Sequence, residues 1–208
     1  MEARHFWDAA FFREHAPQLI VPDGRPGAPS SHFVWKGDQD QIGWYIHGYA
    51  SAWLPSALLR DDALRSLSTA ITEAAGHSSV ELHVNKGLYG APPDAIAASR
   101  DTATNPAVLD AFALAIVGHS GAPNYEGLPG AHVDAAVARP AADDVNAAYR
   151  RLRRAAPRAG SYVSESDYFQ PDWQDAFWGT NYARLLAIKR KHDPERVFVV
   201  HHGVGSES

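Results

Sequence analysis

The chain of 208 residues contains no cysteine, so it has no disulfide framework and no thiol chemistry. It has no apolar run near the roughly 18 residues that a membrane span needs. Its start, Met1-Glu2-Ala3-Arg4-His5-Phe6-Trp7, lacks the cationic stretch and apolar core of a secretory signal, which points to a cytoplasmic chain with no membrane partner. It also lacks a concentrated positive field: the formal net charge is -5. The basic run Arg150, Arg151, Arg153, Arg154 and Arg158 reads as the solvated face of a helix rather than a nucleic-acid surface. Metal-ligand spacing is missing as well. The chain has 11 histidines but no His-Glu-x-x-His, and the adjacent pair His201-His202 does not converge on one ion from an extended chain. No metal is expected. What is present is ordinary for a folded domain, 45% hydrophobic and 21% charged residues, with no repeats and no low-complexity stretch.

Periodicity predicts a short amphipathic helix from Glu2 to His15, closed by Pro17. Turn formers follow from Pro22 to Ser30. The aromatic, β-branched runs His32–Trp35 and Ile42–His47, with Gly37-Asp38-Gln39-Asp40 between them, read as a β-hairpin. Leu58, Leu59, Leu64, Leu67, Ile71 and Ala74 define a helix over Ser56–Ala75, with Gly76 at its C-cap. Ser79–Lys86 alternates as a strand, Asp94–Arg100 is a short helix, and Ala111–Val117 is an apolar strand of a sheet interior. A loop from Gly118 to Gly130 leads to a helix near Ala141–Ala155. The last helix starts at Pro171, carries Asp172 and Asp175 near its positive end and Lys189, Arg190 and Lys191 near its negative end, and stops at Asp193-Pro194. Without a regular βαβ alternation the chain reads as α+β, an antiparallel sheet covered by helices on one face, with a C-terminal helical segment. Three parts are expected: 1–30, a helix and loop; 31–158, the sheet domain; 159–208, the C-terminal segment.

The C-terminal part carries the strongest pattern: Tyr162-Val163-Ser164-Glu165, then Trp173-Gln174-Asp175-Ala176-Phe177-Trp178-Gly179-Thr180-Asn181-Tyr182, then Lys189-Arg190-Lys191-His192-Asp193-Pro194 and Phe198. It resembles the C-terminal signature of the berberine-bridge-enzyme-like flavoproteins of the vanillyl alcohol oxidase superfamily. The block Leu82–Pro92, continuing through Arg100-Asp101-Thr102 and Asn105–Leu114, resembles members of the same family. The resemblance implies the substrate-binding and C-terminal portion of an FAD-linked oxidoreductase acting on an alcohol, sugar or related carbon by hydride transfer to flavin. FAD would be held mainly by a further domain, a partner in cis or in trans, and a small-molecule substrate would bind between the two. The isolated chain is then expected neither to retain FAD nor to turn over substrate, and its uncovered surface would favour self-association into a homo-oligomer.

Carried over position by position, the resemblance places His83, Asn85 and Lys86 on a strand near the flavin. His83 or Lys86 there would polarise a substrate hydroxyl or stabilise charge on the reduced ring, and Asn85 would lie against the cofactor. Tyr162 aligns with the family's active-site tyrosine and is a candidate for orienting or deprotonating substrate. Ser164 stands where relatives usually carry asparagine, and His202 lies in the segment that returns to the FAD domain. The strand Ala111–Ile116, where relatives often carry a base, contains no ionisable group here. A competing reading is a stand-alone ligand-binding or interaction domain using Trp35, Trp44, Tyr45, Tyr49 and Trp53. A minor one is a serine hydrolase, since Gly118-His119-Ser120-Gly121-Ala122 approaches Gly-x-Ser-x-Gly with Ser120 as nucleophile. Its fifth position is not glycine, and Pro123 opposes the helix that an elbow requires.

Overall fold

The computed structural model describes residues 8–37, 44–84, 87, 88, 90–123 and 133–207, and these form two compact units. The first comprises residues 1–45 and 120–134, as far as they are described, and the second residues 46–119 and 135–208.

In the first unit, helix α1 (Ala9–His15) begins where the Asp8 carboxylate accepts the N–H groups of Ala10 and Phe11, at 3.0 and 3.1 Å. This N-cap satisfies donors that a first turn leaves unpaired. The helix buries Phe12 edge-on against Trp35, ring centroids 4.7 Å apart, with Phe33 beside it. Strands β1 (Ile20–Pro22) and β2 (Phe33–Trp35) pair antiparallel, Val21 opposite Val34. The expected hairpin is therefore corrected: β2 pairs back across the Pro/Gly turn with β1, and the next strand, β3 (Trp44–Pro55), joins a different sheet.

That second sheet has the order β3-β5-β4, with β4 at Val80–Val84 and β5 at Ala111–Pro123. β4 and β5 run antiparallel, Leu82 opposite Ala115 and His83 opposite Leu114. Residues alternate between faces along a strand. One face presents Ala50, Ala52, Leu54, Ala115 and Val117, and helices α2 (Asp61–Ala75) and α5 (Ala135–Ala155) cover it with Leu67, Ala74, Val145, Ala148 and Leu152. The strand positions are small because the helices lie close. A Cβ on Gly48 would come within 3.1 Å of the Val145 Cβ. A fully buried leucine such as Leu54 or Leu152 contributes about 2 kcal/mol here. The expected α+β architecture, helices on one face of an antiparallel sheet, is what forms.

Several boundaries differ from the sequence reading. A 3-10 turn, Ser56–Leu59, precedes α2, and Gly76 ends that helix in a right-handed conformation rather than a left-handed cap. β5 continues through Gly118 to Pro123, where a loop was expected, so Ser120 lies in an extended strand and no nucleophile elbow forms. α5 starts before Pro140 and accommodates it. Two short helices, α3 (Pro93–Arg100) and α4 (Ala107–Asp110), connect β4 to β5. The single C-terminal helix is two, α6 (Trp173–Trp178) and α7 (Tyr182–His192), separated at Gly179 (φ 52°, ψ -137°) by a 3-10 turn.

Candidate active-site face

Among the described residues, the second face of the β3-β5-β4 sheet is covered by no pair of long helices. Trp53, Leu114 and Ile116 are buried in it, with Tyr49 half-buried and Ala107, Val108 and Ala111 packed at one end. The tyrosine ring can lie across the neighbouring strand because residue 118 is glycine: a Cβ there would stand 2.7 Å from Tyr49 Cδ2. β4 adds Glu81 opposite Ile116 and His83 opposite Leu114, so both side chains share this face. His83 Nε2 is 3.3 Å from Glu81 Oε2. Burial raises the Tyr49 phenol above its usual value, and the Glu165 and Glu81 carboxylates push the same way. The hydroxyl thus stays protonated at neutral pH and able to donate a hydrogen bond.

Tyr162 reaches this face because the C-terminal segment is fastened along the free edge of β3. Trp53 N–H donates to Gly160 O at 2.8 Å and Ser161 N–H to Ala176 O at 2.7 Å. The buried hydroxyls of Ser51 and Ser161 meet at 3.0 Å, and Ser51 Oγ also accepts the Tyr162 N–H at 3.0 Å. Buried Asn105 completes the fastening: its Nδ2 donates to Ala176 O at 2.7 Å and its Oδ1 accepts from Ala107 N–H at 3.0 Å. Gly160 is required at this crossing, since a Cβ would lie 2.7 Å from Asn105 Nδ2. The Tyr162 ring, 40% exposed, then stands 6.1 Å from Trp53, and the chain turns back so that Glu165 N–H donates to Tyr162 O.

The rest of the signature builds scaffold. Asn181 Nδ2 donates to Thr102 O and Thr104 O at 3.0 and 2.8 Å, Arg184 pairs with Asp101, and the Tyr182 hydroxyl bonds the Glu207 carboxylate. Asp193 accepts the N–H groups of Val197 and Phe198 and pairs with Lys189, which together hold its carboxyl below the usual range. This turn presents Val197–Val200 to solvent. Phe198 is 78% exposed, and Phe169, in the other apolar segment, is 80% exposed. The two segments are tied together by His201, stacked on Tyr168 at 3.9 Å with Nε2 on the Tyr168 carbonyl at 2.6 Å.

Among the sequence candidates, His83 and Tyr162 are placed on or beside the open face. Asn85 and Lys86 lie outside the described residues. Ser164 is exposed in the turn after Tyr162, and His202 lies away from the sheet, half-buried and stacked on Trp173 at 5.3 Å, where burial lowers its basicity. Sequence reasoning did not single out Glu81 or Glu165, and it named Tyr49 only as part of an aromatic ligand surface. Glu81 had a readable signal, its i, i+2 spacing from His83 on one strand, whereas Tyr49 depends on a glycine in another strand. Among the described residues no group of three or more histidine or acidic side chains could hold a metal ion, and no helix is long and apolar enough to cross a membrane.

Residues 161–205 match the family model for berberine and berberine-like proteins. A stretch of 57 residues is 51% identical to the FAD-linked oxidoreductase ZEB1 of Gibberella zeae, covering 27% of this chain and 10% of that protein. The VAO-type flavoprotein oxidase VAO615 of Thermothelomyces thermophilus is 47% identical over 53 residues, 26% of this chain and 9% of the relative. Among solved structures, the VAO-type flavoproteins MtVAO713 and MtVAO615 of Myceliophthora thermophila C1 superpose with TM-scores of 0.58 and 0.56 at 25% and 26% identity. Each covers 76% of this chain, while the chain covers only 26% and 27% of them. The chain is therefore similar to part of the FAD-linked, VAO-type oxidoreductases, and the matched stretch is about a tenth of the curated relatives' length.

Proposed function

We infer that the chain forms the substrate-side wall of a flavin-dependent oxidoreductase site, with the FAD-binding part supplied by a further domain in cis or in trans. The observation that carries this reading is the sheet face opposite α2 and α5, where Tyr49, Trp53, Tyr162 and His83 gather with Glu81 on a chain that resembles VAO-type flavoproteins. These residues suit the ring side of a flavin and its substrate. The remainder of FAD is assigned to the further domain on the resemblance.

A bound FAD would supply the two-electron acceptor for oxidation of a substrate carbon. The chain's residues would do the rest. Trp53 and Tyr162 form an aromatic wall that packs the substrate and excludes water. The Tyr49 hydroxyl, kept protonated, donates a hydrogen bond that orients a substrate oxygen. A ring nitrogen of His83 takes the proton from the reacting hydroxyl, and Glu81, 3.3 Å from Nε2, steadies the resulting cation. Ionisable groups for this step therefore come from β4, opposite the β5 positions that lack them. Lys86 and Asn85 extend the same strand and are proposed on the resemblance alone, as are contacts of Ser164 and His202 with the cofactor. The alcohol, sugar or related carbon oxidised is likewise proposed from the resemblance.

The exposed apolar segments around Phe169 and Phe198 are the surface that the FAD-binding part would cover. Co-expression of the chain with the FAD-binding portion of a fungal VAO-type relative tests the reading. The two parts are expected to co-purify with flavin absorbance, while the chain alone is colourless. Stoichiometric flavin on the chain alone, or two folded parts that never associate, would overturn it.

A further inference from the structure

At the other end of the sheet from Trp53, His47 of β3 and His119 of β5 meet with their Nδ1 atoms 3.0 Å apart. Their ring planes are 14° from parallel and their centroids 5.1 Å apart. A ring nitrogen lies about 1.1 Å from its centroid, so two rings joined end to end through an N–H···N bond of ordinary length have centroids roughly 5 Å apart. The geometry is a head-to-head hydrogen bond rather than a face-to-face stack. One ring donates its Nδ1–H and the other accepts on its Nδ1 lone pair.

This bond has an asymmetric response to acid. With both rings neutral it forms, and with one ring cationic it also forms, the cation donating to the neutral ring with added strength. With both cationic no lone pair is left, and two N–H groups of like charge face each other. We propose that His47 and His119 form an acid-released clasp between β3 and β5, which holds while either ring is neutral and parts when both are protonated.

The surroundings fit a contact whose loss stays local. Gly48 sits beneath α5 at Ala142 and Val145, and Ser78 Oγ donates to Gly118 O at 3.3 Å. The adjoining elements carry Tyr45 and Tyr49 of β3, His77 of the turn before β4, Glu81 and His83 of β4, and Arg139, Asp143 and Asp144 in the first half of α5. Asp144 stands 3.8 Å from His77.

The test uses the full chain labelled with 15N. A coupling across the hydrogen bond between the two Nδ1 nuclei is expected at neutral pH. It should vanish below roughly pH 5.5, where free imidazoles are mostly cationic. Amide exchange at Gly48 and Gly118, corrected for its intrinsic pH dependence, should rise five- to tenfold over the same range, about the effect of one net hydrogen bond. Exchange at Trp53 and Leu114 should not change. In His119→Gln the fast exchange should already be present at neutral pH and show no further step. Absence of the coupling in a chain with native Trp53 and Leu114 protection, or its survival after the 15N shifts show both rings cationic, would overturn the proposal.

Discussion

Tyrosines show how burial at a single residue becomes a property of the whole chain. Tyr149 of α5 is raised above its ordinary value chiefly by burial, against the opposing charge of Arg153, whose Nη1 donates to the hydroxyl at 3.3 Å. Tyr49 and Tyr182 are raised too, each first by burial. A phenol that ionises later in the fold than in the unfolded chain contributes stability present below about pH 10 and lost as pH climbs through the folded value. Tyr149→Phe is expected to cost about 1 kcal/mol at pH 7 through the lost hydrogen bond. Near pH 11 that cost should shrink, which urea midpoints at the two pH values would show. At the same scale His83 was legible as a strand histidine, because its chemistry is visible in its own identity. Asn105 was legible only as one residue of the block Asn105–Leu114, since its partner Ala176 becomes a neighbour through the fold.

The C-terminal elements were read correctly in kind and wrongly in continuity. Apolar spacing from Trp173 to Ile188 is compatible with one helix, but Gly179 turns into a conformation that side chains resist, and its neighbours there are Asn105 Oδ1 and Pro106. The break points Asn181 at the Thr102 and Thr104 carbonyls, a geometry that periodicity alone cannot register. Gly179→Ala should destabilise the chain by about 1–3 kcal/mol, the strain of that backbone region. A loss below about 0.5 kcal/mol in a urea titration would mean that the helix break is relaxed by other means. The hairpin was misread for a related reason. The aromatic character of Phe33–Trp35 announces a strand, but pairing is decided by what else is buried alongside, here Phe12 against Trp35. The strand Ala111–Ile116 was legible because a buried strand is apolar whatever its partners, and its extension through Gly118 was not, because glycines there also fit a loop.

Across the whole chain, buried and exposed apolar surface are distributed unequally. The sheet's helical face is closed, while Phe169, Val197 and Phe198 remain at least 70% exposed. On the proposed reading, these exposed apolar residues are what a further domain would cover. Replacing Phe169 and Phe198 together by serine should leave the unfolding midpoint within experimental error, because both rings are largely exposed. It should also reduce binding of an apolar fluorescent dye and any concentration-dependent self-association seen by ultracentrifugation. A large loss of stability instead would show that these rings pack within the chain.

The sequence by itself determined the longer helices and strands, the α+β class and the likeness to FAD-linked oxidoreductases, because these rest on residue identities at short, regular spacing. Only the tertiary structure decided which strands pair, which sheet face stays open and which signature residues reach it. Those outcomes depend on contacts between residues far apart in the chain, such as Tyr49 over Gly118, Ser51 with Ser161 and Asn105 with Ala176. Each exists only once burial of the alanine-rich sheet beneath α2 and α5 has brought its two halves together.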